Sequence, residues 1–251
     1  MNIKINIGGK ECQVDLNAPI DISIPLSAGK ETVNAWYCDP LRIEPVVRGD
    51  WIGDVSKGGP VNFKNVFLNP HGNGTHTECM GHISKEAHSL NRELTTFFTF
   101  CMVVTISPEL SDQDHKITAR QISRLNLHPE ATAVAIRTTP NGAEKTRKHY
   151  SNTNPPYMEA EAVRDLVSRG IMHLLIDLPS IDRERDEGIL AAHHVFWNYP
   201  EHPRHGATIS EFIYIPYEVE DVIYLLNLMV TSLENDASPS KPVLYRIHGR
   251  P

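Results

Sequence analysis

The chain has 251 residues, 40% of them apolar and 22% charged, with a formal net charge of −7. That size supports a buried core, while the acidic balance and lack of a Lys/Arg-dense run exclude a nucleic-acid binder. No apolar run approaches the roughly 20 residues that span a bilayer. The N-terminus, MNIKINIGGKE, lacks the apolar segment of a signal peptide, and Cys12, Cys38, Cys79 and Cys101 show no CxxC spacing. A reduced, cytoplasmic protein with neither a disulfide framework nor a zinc knuckle is therefore expected.

Residues 2–16 read as two strands around the turn signal Ile7-Gly8-Gly9-Lys10. Ile20 to Leu26 (IDISIPL) alternates and predicts a third strand, stopped near Pro25. From Asn34 to Pro60 the chain is rich in Trp, Tyr, Pro and Gly without periodicity, which predicts irregular structure, a lid or pocket wall. Phe97 to Ile106 is a continuous apolar run, the pattern of a buried strand. Thr118 and Gln121 form a capping box, with Ile117 and Ile122 placed as a hydrophobic staple, so a short helix starts there.

Thr132 to Thr138 is a strand closed by Pro140-Asn141-Gly142. After Pro155-Pro156, the residues Met158, Ala162, Val163, Leu166 and Val167 share a helical face, and Gly170 is a natural C-terminal cap. Ile171 to Asp177 is the next buried strand, completing a strand–helix–strand crossover. A helix around Ile189 to Trp197, the stretch Thr208 to Ile215, and strands at Val222 to Val230 and Val243 to His248 complete the chain. No repeat or convincing linker divides it, so one domain over 1–251 is expected.

The stretch Asn69 to Ser84, NPHGNGTHTECMGHIS, packs His71, His76, Glu78 and His82 among Gly72, Gly74 and Gly81. On an extended path, residues two apart share a face, so His76, Glu78 and His82 aim one way. Imidazoles and a carboxylate suit zinc, and also manganese or iron. The competing reading is a polar loop whose histidines carry no chemistry. Cys79 alternates to the opposite face, where a buried structural thiol is favoured over a nucleophile.

GTHTECMGH (Gly74 to His82) resembles the HxGTHxDxPxH motif of the cyclase family, whose best-known members are bacterial kynurenine formamidases. Other pieces follow in the family's order: IDISIPL, Gly59-Pro60-Val61-Asn62, AIRTT (Ala135 to Thr139), IDLPSID (Ile176 to Asp182), AAHH (Ala191 to His194) and ISEF (Ile209 to Phe212). The resemblance runs from about residue 20 to residue 230.

It implies an α/β fold, a mixed, barrel-like sheet with flanking helices of the swivelling β/β/α type. It also implies that His76, Glu78, His193 and Glu211, joined by His71, hold one or two divalent ions, zinc or manganese, and that His82 is the acid/base. Adjacent helical residues point about 100° apart, so only one of His193 and His194 faces the site; His193 matches the family position. Three departures mark the motif: the first histidine sits at His71 where the family places it at Gly72, Glu78 replaces aspartate, and Met80 replaces proline. An extra loop, Pro200 to His205, is placed by this reading near the site mouth.

The implied function is metal-assisted hydrolysis of a small amide, an arylformamide such as N-formylkynurenine, by a metal-activated water. His82 would shuttle the proton, because imidazole titrates near neutrality. Trp36, Tyr37, Trp51 and Phe63 could wall an aryl substrate, with ordinary packing the rival role for each. Two rival functions remain: opening of a cyclic amide, lactone or ester on the same scaffold, and a metal-binding protein without turnover. The expected partners are a small-molecule substrate and further copies of the chain, with no nucleic acid or membrane.

Overall fold

The computed structural model describes residues 1–249. Four strands lie side by side in parallel, in the order Phe98–Ile106, Ala133–Thr138, His173–Ile176 and Thr208–Glu211. The short strand His76–Glu78 pairs antiparallel with Thr208–Glu211 on one side and with the start of Ala237–His248 on the other. Ile223–Val230 joins Ala237–His248 back to Phe98–Ile106, again antiparallel. The result is a closed, mixed barrel-like sheet with few helices, the architecture the resemblance implies. The N-terminal hairpin, Asn2–Ile7 with Lys10–Asp15, extends this sheet through the end of Ala237–His248.

The barrel strands read as unbroken apolar runs because both faces are buried. Cys101, Val103, Ala133, Ala135 and Leu175 point inward, against Tyr224, Leu226 and Leu244. Their neighbours Val104, Val134, Ile136, Leu174 and Ile176 point outward, under Ala162, Val163, Leu166, Phe196 and Trp197 of the helices. Small Cys and Ala side chains suit the narrow interior, while the outer face takes the bulkier β-branched and aromatic residues. The helix Ala119–Ser123 begins with the expected reciprocal capping box of Thr118 and Gln121, and Gly170 follows the helix Ala160–Ser168 with a φ of 80°. No helix among the described residues is long and apolar enough to cross a membrane.

Four boundaries differ from the sequence reading. Only Ile20–Asp21 of IDISIPL pairs as a strand, with Ser23 bridging Ile213, because the proline at position 25 prevents a longer ladder. Met158 is buried in a two-residue strand just ahead of its helix. The segment expected to be irregular contains two short ladders, Arg42–Pro45 with Lys64–Phe67 and Val47–Arg48 with Trp51–Ile52. The last strand starts at Ala237, six residues before the expected Val243. Pro239 and Pro242 disguise that extension, since proline normally argues against a strand interior.

The wall between the parallel strands contains a titrating device. His173 Nδ1 meets Thr208 Oγ1 at 2.9 Å, and burial, aided by nearby Arg204, pushes the imidazole down to about 4. An unfolded chain protonates this histidine near pH 6.5, so its contribution to stability is complete above that pH and lost as the pH falls towards 4. Melts between pH 7 and 4 should therefore steepen in the native chain relative to His173→Gln. Parallel pH profiles would rule His173 out as the source.

Candidate metal centre

The strand His76–Glu78 is the hub of the site. Cross-strand register sets Glu211 opposite His76 and Ile209 opposite Glu78. Alternation sends His76 and Glu78 to one face and Thr77 to the other, where its hydroxyl meets that of Ser210 at 2.7 Å. The chain then tightens into the 3-10 turn Met80–His82, so His82 reaches the site through a turn, not along the extended path expected. Gly81 makes that turn possible: a Cβ there would lie 2.4 Å from the carbonyl oxygen of His88.

His71 arrives from a turn in which the N–H groups of Gly72 and Asn73 both donate to Asn69 O. A Cβ at Gly72 would stand 2.5 Å from Cys38 Sγ, so the turn closes only around glycine. This compact turn offsets the one-residue shift of His71. Its Nδ1 lies 3.1 Å from Glu78 Oε2, and its Nε2 is 2.9 Å from Asp236 Oδ2. His193 comes from the helix Ala191–Trp197, with Nε2 at 3.1 Å from Glu78 Oε1 and 3.9 Å from Glu211 Oε1. His194 turns away and meets Tyr199 O through Nδ1 at 3.0 Å. His82 Nδ1 stands 3.7 Å from Glu78 Oε2 and 3.6 Å from Asp236 Oδ2.

The second layer of contacts sets which imidazole nitrogen faces inward. His76 Nδ1 donates to Gly74 O at 3.0 Å, leaving Nε2 with its lone pair towards Glu211 Oε2, 3.4 Å away. His193 Nδ1 is held by Asp182 Oδ2 at 2.6 Å, and that carboxylate also accepts the backbone N–H groups of Ala192 and His193. Such outer partners orient a ligating histidine and raise its basicity. Asp182→Asn should therefore weaken divalent-ion binding by about 10–100-fold while the fold persists; unchanged affinity in a metal titration would remove Asp182 from that role.

Two buried polar atoms here, His76 Nε2 and Glu78 Oε2, make no well-aligned hydrogen bond, although Glu211 Oε2 lies 3.4 Å from the first and His71 Nδ1 3.1 Å from the second. Leaving such atoms unsatisfied ordinarily costs about 1–3 kcal/mol each, so their placement at the centre of the cluster fits an ion. Three overlapping triplets have ligand atoms within 4.8 Å of one another: His71, His76 and Glu78; Glu78, His82 and His193; and His71, His82 and Asp236. The donor set, imidazoles and carboxylates, is that of zinc or manganese.

The electrostatics are those of a charged cluster under little water. Burial opposes charge on His71 and His193, but the carboxylates of Asp236 and Glu78 facing the first, and of Asp182 and Glu78 accepting from the second, raise both to about 10. Burial likewise opposes charge on Glu78, yet His82, His193 and His71 hold its carboxyl well below the usual range. Hydrogen bonds from His71 and His82 do the same for Asp236.

Above the cluster opens a cavity of about 400 Å³ lined by Trp36, His71, His82, Arg183, His193 and Glu211, among others. Trp36 and Tyr37 both hold left-handed backbone conformations, φ 59° and 57°, costly for aromatic residues; only Trp36 lines the cavity, while Tyr37 is exposed and bonds Asn152 Oδ1 through its hydroxyl. Trp51 and Phe63 are not among the lining residues; their rings meet edge to face on the exposed hairpin arm, 6.1 Å apart. The loop at 200–205 contributes nothing to the lining either, and Arg204 anchors it away by donating to Phe196 O and Ile171 O.

Sequence reasoning missed Asp236 and Asp182. Asp236 sits in NDASPSKP, which reads as a polar loop, although it directly precedes the strand that pairs with His76–Glu78. Asp182 stood in the quoted IDLPSID element, and its spacing of 11 residues from His193 carried the only available signal.

The family model described as "Putative cyclase" matches residues 20–183. The kynurenine formamidase of Bacillus mycoides (strain KBAB4) is 25% identical over 234 residues, covering 91% of this chain and 97% of its own. A solved structure described as a potential metal-dependent hydrolase with cyclase activity superposes with a TM-score of 0.65 at 17% identity, covering 93% of this chain and 99% of its own. Isatin hydrolase A from Labrenzia aggregata gives 0.65 at 17% identity over 91% of this chain and 93% of its own. At those identities the two structures establish the shared fold, while the motif and the model match establish more: this chain belongs to the cyclase family.

Proposed function

We propose that the chain is a metal-dependent hydrolase that cleaves a small amide, an arylformamide such as N-formylkynurenine, in the cavity above His76 and Glu78. The observation that carries this reading is the pair of buried atoms without a well-aligned hydrogen bond, His76 Nε2 and Glu78 Oε2, at the centre of the imidazole–carboxylate cluster. His71, His76, Glu78, His193 and Glu211 would hold the ion, zinc for preference and manganese as the alternative. Glu78 belongs to two of the triplets, which leaves room for one ion or two. When bound, such an ion lowers the pKa of water from 15.7 to about 7 and polarises a carbonyl.

The remaining roles belong to the chain. His82, beside Glu78 and Asp236 at the cavity floor, carries a proton to the departing nitrogen. Trp36 walls the aryl group. Trp51 and Phe63 lie off the cavity lining in this chain, so the direct aromatic contact falls to Trp36. Cys79 is no rival nucleophile: burial raises its thiol to about 12. A cytoplasmic homo-oligomer fits the free cysteines and the exposed apolar arm of Val47, Val55, Phe63 and Val66.

A second reading, opening of a cyclic amide, draws support from the likeness to isatin hydrolase. The zinc-replete protein assayed on N-formylkynurenine beside a panel of cyclic amides, lactones and esters separates them. The formyl substrate should be turned over with at least a 100-fold advantage in kcat/KM. Turnover of a cyclic amide alone would replace the first reading with the second, and turnover of neither would leave a non-catalytic metal binder.

A further inference from the structure

A second cluster of ligand-type side chains lies behind the site, outside the set described above. His88 Nδ1 is 3.0 Å from Glu93 Oε1, and His205 Nδ1 is 3.3 Å from the same oxygen. The three ligand atoms all fall within 4.8 Å of one another. The residues come from two pieces of chain: His88 precedes the one-turn helix Leu90–Glu93 and Glu93 ends it, while His205 ends the 200–205 loop.

We propose that His88, Glu93 and His205 form a separate binding site for a divalent transition ion such as zinc, which clips the 200–205 loop to the segment behind the main site. In a tetrahedral zinc site with bonds of about 2.0–2.1 Å, neighbouring ligand atoms stand about 3.3 Å apart. The two observed nitrogen–oxygen separations match that edge. Two imidazoles and one carboxylate favour a transition ion over magnesium or calcium, which demand oxygen ligands.

An outer partner fixes the carboxylate: Gly206 N donates to Glu93 Oε2 at 3.0 Å, which turns Oε1 towards the imidazoles. The side chains of Glu93 and His88 are 13% and 22% exposed while that of His205 is 65% exposed, so the site has a fixed floor and an open entry. Water can complete the coordination from that side.

The clip has something to hold. The carbonyl of His88 packs against Gly81, one residue before His82. Leu90 N donates to Asn235 O at 2.8 Å, next to Asp236. An ion joining His88 to Glu93 and His205 therefore braces the backbone that positions His82 and Asp236, without itself entering the cavity.

The test is equilibrium dialysis of tag-free, chelator-stripped protein against zinc chloride with excess magnesium, followed by elemental analysis. Four chains are compared: native, His88→Ala/His205→Ala, His76→Ala, and all three substitutions combined. The native chain should bind one zinc per chain more than the double variant. The same difference of one should persist between His76→Ala and the triple variant, which separates this site from the main one. His205→Ala alone, at an exposed position, guards against misfolding and should weaken the extra equivalent at least 10-fold. Equal zinc content in the native and double-variant chains would show that the cluster is held by hydrogen bonds alone and would overturn the proposal.

Discussion

Glu78→Gln should weaken zinc binding at least 100-fold, about 2.7 kcal/mol, and reduce turnover in step with occupancy. Glutamine fills the same volume, so the substitution removes charge without opening a cavity. The effect is large because Glu78 sits between two imidazoles, His71 and His193, each 3.1 Å from one of its oxygens. A neutral amide is a poor ligand, and it no longer supplies the negative charge that His71 and His193 face.

The protons add to this expectation. In the metal-free chain the surrounding carboxylates hold His71 and His193 protonated up to about pH 10. An ion must displace those protons, so its affinity rises with pH and falls in acid. Isothermal titration in buffers of different ionisation enthalpy should show proton release on zinc binding, diminished in Glu78→Gln. Undiminished zinc content and turnover in the variant would remove Glu78 from the ligand set.

Lys145→Met should cost about 3–5 kcal/mol of stability and lower Tm by about 10 °C. Lys145 Nζ lies 2.7 Å from Asp177 Oδ2, whose side chain has no exposed surface. Burial pushes the Asp177 carboxyl up, and Lys145 is the main force opposing that. Without the lysine, a buried carboxylate keeps only the N–H and hydroxyl of Thr138. Adding Asp177→Asn should recover most of the loss, because the remaining group is then neutral. A Tm within about 2 °C of the native chain for Lys145→Met alone would mean that the pair is not stabilising. The location gives the pair a functional consequence, since the chain runs from Asp177 straight to Asp182, the carboxylate that orients His193.

Much of this arrangement was legible in the sequence where local rules dominate. The capping box at Thr118, the buried runs at Phe98–Ile106 and Ala133–Thr138, and the alternation of His76 and Glu78 follow from one or two residues' chemistry. Legibility ended where distant pairing overrides local signals. Nothing local says that NDASPSKP continues into a barrel strand, because its prolines and small polar residues mark loops; only pairing with His76–Glu78 makes it one. Asp236 was hidden for that reason. Trp51 and Phe63 show the opposite limit: aromatic residues upstream of a motif suggest a pocket wall, but Trp51 on a short hairpin and Phe63, backbone-bonded to Val46 and Gly53 beside it, lie on an exposed arm. The Pro200 to His205 loop was placed at the mouth by its position in sequence, whereas Arg204 ties it to the far end of the helix that bears His193.

The central claim, that an ion at His71, His76, Glu78, His193 and Glu211 enables amide hydrolysis, is tested most directly by X-ray absorption at the zinc edge on active, reconstituted protein. The His88→Ala/His205→Ala chain is measured alongside it, so that zinc at the second cluster does not contribute to the signal. The account predicts a shell of imidazole nitrogen and carboxylate oxygen at about 2.0–2.2 Å, lost together with hydrolytic activity on chelation and regained on adding zinc. Full hydrolysis by a chelator-stripped chain with no detectable metal would contradict it.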